Sequence, residues 1–279
     1  MAPLKIREVR CKTLLHEMYP GEREYTANFY RGCSHGCTYC YVPSLIHDER
    51  SWGAFVDAKV NSPEVLNREL KGLRMGRVFL SSATDPYQPL EARYGITRRC
   101  LEVLLRHDFP VVILTRSPLV LKDIDLLKRF EWVRVGFSIS SVPERLYEPG
   151  VSPLERRIES LRKLSDAGIE TWVSMAPLIP SLMRIDLRVV MKALRAAGVS
   201  AISPGILRFQ GYPESKEMFE KVAGVSSTDL TLGGDKVIAD VEGLIEEYGF
   251  EGVGDVLDWR PKGGLDDFLG VPNTRQPSP

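Results

Sequence analysis

Nowhere in its 279 residues does the chain hold a run of the roughly 20 apolar residues that a membrane-spanning helix needs. Its opening Met-Ala-Pro-Leu-Lys-Ile-Arg lacks an apolar secretory core. The expectation is a cytoplasmic protein with no membrane partner. Excess charge is missing as well: 37 basic and 37 acidic residues cancel. No global field therefore draws the chain to nucleic acid, and such a partner would need a local patch. No low-complexity run interrupts an ordinary apolar content of 43%, and the length suits a single enzyme domain such as a barrel of about 250 residues. Cysteine is sparse and odd in number, five in all. Without an export signal, that count argues against a disulfide framework and for reduced thiols at a metal site.

Three of those five cysteines stand together in Arg31-Gly-Cys-Ser-His-Gly-Cys-Thr-Tyr-Cys-Tyr41. Soft thiolates at Cys33, Cys37 and Cys40 on a glycine-containing loop suit an iron–sulfur cluster better than hard oxygen ligands would. Three ligands leave one iron of a 4Fe-4S cubane without a protein ligand, free to bind a cofactor or substrate through oxygen and nitrogen. A Cys3His zinc site using His35 is the rival reading, although a ligand two residues from each neighbour departs from usual zinc spacings.

Apolar strand-like runs alternate with amphipathic helices along the chain. Strands are expected at Thr26–Arg31, Arg77–Ser82, Val111–Thr115, Trp132–Ser140, Glu170–Ala176 and Val199–Ser203. Val111-Val-Ile-Leu-Thr115 is apolar without a break until its last residue, as a strand covered on both faces should be. Helical patterns lie near 63–74, 97–107, 119–129, 153–167 and 185–197. In the fourth, Leu154, Ile158, Leu161 and Leu164 share a face, with Ser152 as cap, Pro153 at the first position, Glu155 completing a capping box and Gly168 as stop. Such alternation implies an α/β fold with right-handed crossovers and a parallel sheet, open or curved into a barrel.

The spacing of the three cysteines, with Tyr39 and Tyr41 around the third, resembles the signature of the radical S-adenosylmethionine superfamily. From about Arg7 to Phe209 the chain is similar to the group related to spore photoproduct lyase, often labelled DNA repair photolyases. Tyr30-Arg-Gly-Cys with the cysteine loop, Thr84-Asp-Pro-Tyr-Gln-Pro-Leu-Glu91, Leu114-Thr-Arg-Ser117, Asp123-Ile-Asp-Leu-Leu127 and Ala176-Pro-Leu-Ile-Pro180 carry the resemblance. It implies a partial (β/α)6 TIM-like barrel over residues 1–210, N-terminal arm included, with an α-rich C-terminal extension over 211–279. It places the cluster at the carboxyl-end face of the strands, where barrel active sites lie. The implied activity is reductive cleavage of S-adenosylmethionine at a 4Fe-4S cluster, giving a 5'-deoxyadenosyl radical that abstracts hydrogen from a substrate. An electron donor such as flavodoxin or ferredoxin is implied as a partner.

The resemblance also assigns cofactor contacts. Tyr39 and Tyr41 flank Cys40 and can meet adenine; Ser82 and Thr84 end the second strand and can hydrogen-bond the methionine part. Arg116 stands where the lyase commonly has lysine, and a guanidinium can pair with the cofactor carboxylate through two hydrogen bonds. Ser138 can reach ribose hydroxyls, and the small Ala176 lets backbone approach adenine. For each small residue, simple strand packing is the competing reading. One departure stands out: the lyase is expected to carry a hydrogen-donating cysteine at the end of the second strand, whereas this chain has Ser82-Ala-Thr84.

Other residues read as structural. Cys100 shares a helix face with Leu104 and suits a core, while Cys11 lies in the N-terminal arm. Asp85-Pro86 reads as a turn or helix start as readily as a catalytic group. Arg93, Arg98 and Arg99 could meet phosphates or form a solvated helix face. Beyond Phe209 come a helical stretch near 213–223, an amphipathic helix through Val237, Ile238, Val241, Leu244 and Ile245, a loop at Trp259-Arg-Pro-Lys-Gly-Gly264 and a frayed tail from Asn273 to Pro279. No catalytic residue of the substrate half is legible. Nucleic acid is the leading substrate class by resemblance; a small molecule or peptide is the alternative, and a zinc-stabilised nucleic-acid-binding module is the alternative outside enzymes.

Overall fold

A computed structural model describes residues 3–19, 23–209 and 211–252. Its centre is six parallel strands hydrogen-bonded in chain order: β1 (Glu24–Ala27), β2 (Arg77–Leu80), β3 (Val111–Thr115), β4 (Val133–Ser138), β5 (Glu170–Leu178) and β6 (Ala201–Ile206). Leu15–Glu17 extends the sheet antiparallel to β1, and Glu251–Gly252 extends it parallel to β6. The two edges do not pair with each other. Phe79 on β2, Val112 on β3, Trp172 on β5 and Ala201 on β6 share one apolar cluster inside the curve, so the sheet bends until distant strands meet across it. The fold is thus a partial TIM-like barrel, not a closed one.

Helices α1 (Ser62–Leu70), α2 (Ile96–Arg106), α3 (Leu154–Asp166) and α4 (Leu187–Ala196) lie within the crossovers on the outer face. The main core forms between them and the strands, where Leu66, Leu104, Leu161 and Leu194 meet Val78, Ile113, Val135, Val173 and Ile202. The unbroken apolar run of β3 follows from this layering: Val111 and Ile113 pack outward under helices, and Val112 with Leu114 packs inward. Cys100 belongs to the outer core and is fully buried.

Three expectations need correction. The first strand is not continuous from Thr26 to Arg31. It stops at Ala27, and Tyr30–Arg31 pairs antiparallel with Phe55–Lys59 in a second sheet that also contains Lys5–Val9. Asn28 makes the break: its Oδ1 accepts from the Ala83 amide at 2.7 Å and its Nδ2 donates to Ser82 Oγ at 3.3 Å, fixing the chain to the end of β2. The stretch near 119–129 forms a 3-10 turn, Pro118–Asp123, and then only Ile124–Leu127 as α-helix. Finally, α3 begins at Leu154 with Pro153 as its cap position and no side-chain cap, so Ser152 does not play that part.

After β6, α5 (Pro213–Ala223) and α6 (Gly234–Glu247) follow. Val241, Leu244 and Ile245 of α6 join the outer core. Phe219 of α5 packs 5.5 Å from Tyr147 and 5.4 Å from Phe209, measured between ring centres, in an apolar cluster that also holds Cys37 and Tyr39. The loop expected at 259–264 and the tail at 273–279 lie outside the described residues. No helix among the described residues is long and apolar enough to cross a membrane.

Candidate functional site: a cavity over the cysteine loop

The cysteine loop leaves Tyr30–Arg31 through Gly32, whose φ of +83° and close approach to Phe55 admit no side chain. A Cβ there would sit 2.4 Å from the Phe55 carbonyl oxygen. Backbone and side chains then clamp the loop from two directions. On one side Thr84 donates its hydroxyl to the Gly32 carbonyl at 2.7 Å, and Gln88 Oε1 accepts from the Ser34 amide at 3.0 Å. On the other, the Thr38 amide donates to Tyr147 O at 2.9 Å and the Gly150 amide to His35 O at 3.0 Å.

Above the loop opens a cavity of about 490 Å³. All ten residues singled out in the sequence line it: the three cysteines, both tyrosines, Ser82, Thr84, Arg116, Ser138 and Ala176. They come from the loop and from the carboxyl ends of β2, β3, β4 and β5.

The thiols suit a cationic group of spread-out irons. Burial pushes all three upward, Cys37 to about 12 and Cys40 to about 11; Asp85 raises Cys33 further, while the Arg116 guanidinium draws Cys37 and Cys40 part of the way back. Thiolates in such a place need a bound cation beside them. His35 does not fit as a fourth ligand. Its Nδ1 lies 2.7 Å from Gly150 O and its Nε2 3.1 Å from Asp85 Oδ2, so both nitrogens face protein oxygens. The donor set is three sulfurs, matching a cubane with one open iron better than a Cys3His zinc centre.

Asp85 is a buried strut. Its carboxylate accepts from the Tyr87 amide at 2.8 Å, the Thr115 hydroxyl at 2.7 Å and the Arg116 amide at 2.8 Å, and faces His35. Burial alone would push its carboxyl up, but His35 and these donors hold it below the ordinary carboxylate range. The Asp-Pro turn thereby fixes the end of β3, and Arg116 with it, against the cysteine loop.

Glu148 and Arg157, which lie behind the cavity, have no signature in the order of residues. Glu148 is 2% exposed and Arg157 1%. The carboxylate accepts from Tyr39 OH, from Ser140 Oγ at 2.9 Å and from Arg157 Nη2 at 3.4 Å, and lies 3.8 Å from Arg116 Nε. Arg157 Nη1 donates to Ser138 O at 2.7 Å. One buried carboxylate therefore ties together Tyr39, Arg116 and the strand bearing Ser138. Removing it as Glu148→Ala should cost about 3–5 kcal/mol, because it breaks a buried ion pair and takes away the acceptor that Tyr39 and Ser140 share. Urea unfolding of the variant measures this; a loss under about 1 kcal/mol would show that the pair is dispensable.

The assigned hydroxyls are unequal. Thr84 spends its proton on Gly32 O and accepts from Gln88 Nε2 at 3.0 Å. Ser82 Oγ accepts from Thr26 Oγ1 at 3.0 Å as well as from Asn28, and Ser138 Oγ donates to Ala176 O at 3.3 Å. Tyr41 OH donates to the Ser82 carbonyl, and its ring lies 5.7 Å from that of Tyr212. Arg116 Nε, by contrast, is buried without a hydrogen-bond partner. Of the arginines considered for phosphate contacts, Arg98 is taken up by Asp123 and Asp125 at 2.8 Å each, and Arg99 donates to Tyr94 O. Cys11 packs against the outer core, its backbone tied to Asn61.

Comparison with known proteins gives a consistent pattern. A family model described as the radical SAM superfamily matches residues 27–194. An uncharacterized protein of Methanocaldococcus jannaschii is 31% identical over 189 residues, covering 66% of this chain and 71% of the relative. Radical SAM Nalpha-GlyT isomerase of Pseudomonas phage M6 is 28% identical over 197 residues, 68% of this chain and 40% of that one. Among solved structures, a spore photoproduct lyase mutant with bound AdoMet and dinucleoside spore photoproduct superposes with a TM-score of 0.68 at 18% identity, covering 89% of this chain and 81% of the other.

Proposed function

Because the chain belongs to the radical SAM superfamily, we propose that it reductively cleaves S-adenosylmethionine at a 4Fe-4S cluster held by Cys33, Cys37 and Cys40. When bound, cluster and cofactor supply a 5'-deoxyadenosyl radical that takes a hydrogen atom from the substrate, with methionine released and one electron drawn from a flavodoxin- or ferredoxin-like donor. The observation that carries this reading is the gathering of three cysteine thiols and an Arg116 Nε without a hydrogen-bond partner around one cavity. Arg116 is placed to pair with the cofactor carboxylate, held there by Glu148 and by the cation–π contact of its guanidinium, 6.0 Å from the Tyr39 ring centre. Residues 211–252 act as an extension that shields the cavity; Tyr212 lines it, and excluding water protects a reactive radical. The lyase with which this fold compares binds a dinucleoside lesion, which supports nucleic acid as the substrate class.

Two measurements test the reading. Reduced protein with S-adenosylmethionine should release 5'-deoxyadenosine even without substrate; protein that carries iron and releases none would overturn it. Arg116→Ala should weaken cofactor binding about 10- to 150-fold, the equivalent of about 1.5–3 kcal/mol for a charged hydrogen bond. Arg98→Ala, which opens ion pairs outside the cavity, should not. Equal effects in a binding titration would remove Arg116 from its assigned place.

A further inference from the structure

Between Leu80 and Asp85 the chain presents three hydroxyls, and two of them already take part in hydrogen bonds, Thr84 as donor and acceptor and Ser82 as acceptor. The third, on Ser81, is different in three respects. Its Oγ is buried and has no hydrogen-bond partner, it lines the cavity, and its residue has a φ of +66°. A non-glycine residue in the left-handed region is uncommon and carries a steric cost. Four such residues occur among those described, Arg23, His47, Ser81 and Asp108, and only Ser81 is buried.

Strain and an orphaned hydroxyl at one residue oppose stability twice over. Glycine would relieve the backbone, and any apolar-compatible residue would avoid burying an unpaired oxygen. The Ser81 amide, meanwhile, is fixed to Ala27 O at 2.8 Å, so the residue cannot drift out of place. Two further buried donors without hydrogen-bond partners, Arg116 Nε and Trp52 Nε1, line the same cavity. Three donors without hydrogen-bond partners around one space call for a ligand rich in acceptor oxygens or nitrogens.

We propose that Ser81, not its hydrogen-bonded neighbours Ser82 and Thr84, supplies the ligand-binding hydroxyl at the end of β2, and that its left-handed backbone is retained to aim that hydroxyl at S-adenosylmethionine. The ligand's acceptor groups satisfy the hydroxyl that the folded chain leaves unpaired. This assignment rests on the cavity being the cofactor site.

The substitution that separates function from fold is Ser81→Gly. It deletes the hydroxyl and eases the left-handed backbone, so the melting temperature of the ligand-free protein should equal or exceed that of wild type. Affinity for S-adenosylmethionine, titrated calorimetrically with the iron-loaded protein, should fall about fivefold or more, in keeping with one lost hydrogen bond. Ser81→Ala keeps the backbone cost and should lose affinity to the same extent. Wild-type affinity in both variants would overturn the assignment while leaving the cofactor reading intact. Wild-type protein that binds no S-adenosylmethionine would overturn that reading and the assignment with it. A Ser81→Gly protein that melts well below wild type would show that the serine is there for the fold.

Discussion

Replacing any one of Cys33, Cys37 or Cys40 with alanine should strip the protein of iron: about four irons per chain in wild type reconstituted without oxygen, close to none in each variant. The expectation is all-or-none because three thiolates are all the protein offers. Losing one leaves two irons of a cubane without protein ligands, and no other cysteine lines the cavity to take its place. Cys11→Ala and Cys100→Ala should load iron normally, since one thiol packs against the outer core and the other is fully inside it. Iron and sulfide assays on the five variants decide the matter. Wild-type protein that takes up zinc but no iron would reverse the reading. The His35 contacts already weigh against that outcome, because both ring nitrogens face protein oxygens.

How much of this was open to the sequence depends on how local the cause is. The cysteine loop was legible because its three thiols are neighbours in the chain. The strand Val111–Thr115 was legible to the residue because burial on both faces leaves a continuous apolar signature. The residues assigned to cofactor contacts all line one cavity, because the motifs that carry them follow the order of the strands. What the residues do there was less accessible. Thr84 looked like a cofactor contact, but its proton serves the Gly32 carbonyl 52 positions away. Glu148 reaches Tyr39 across 109 positions, and no periodicity reports a pairing of that span. Arg157 was hidden more thoroughly, since an arginine on an amphipathic helix reads as solvent-facing until the buried carboxylate opposite it is known. The break in the first strand has the same origin: Asn28 leaves the sheet because groups 54 and 55 residues later bind its amide. Ser81 was invisible for another reason, as its φ is set by the geometry of the strand end and leaves no mark on residue order.

The second large effect concerns turnover of spore photoproduct, which this protein should fail to repair despite its likeness to the lyase. The resemblance implies that the lyase returns a hydrogen atom to its product radical from a cysteine at the end of the second strand. Here that stretch is Ser82-Ala-Thr84, and an O–H bond is much stronger than an S–H bond, so a serine gives up a hydrogen atom poorly. The structure closes two ways round the substitution. Cys100 is fully buried in the outer core, and Cys11 is absent from the residues that line the cavity. The only thiols facing the cavity among the described residues are the three assigned to iron. Reduced protein should therefore form 5'-deoxyadenosine in the presence of a dinucleotide spore photoproduct without multiple turnovers to intact thymines. Following thymidine release by chromatography tests this directly, and Ser82→Cys sharpens the comparison by restoring a thiol at the departed position. Repeated turnover by wild type, surviving in a Cys11→Ala, Cys100→Ala double variant, would show that hydrogen return here needs no thiol at that strand end and that the substrate is the lyase's own.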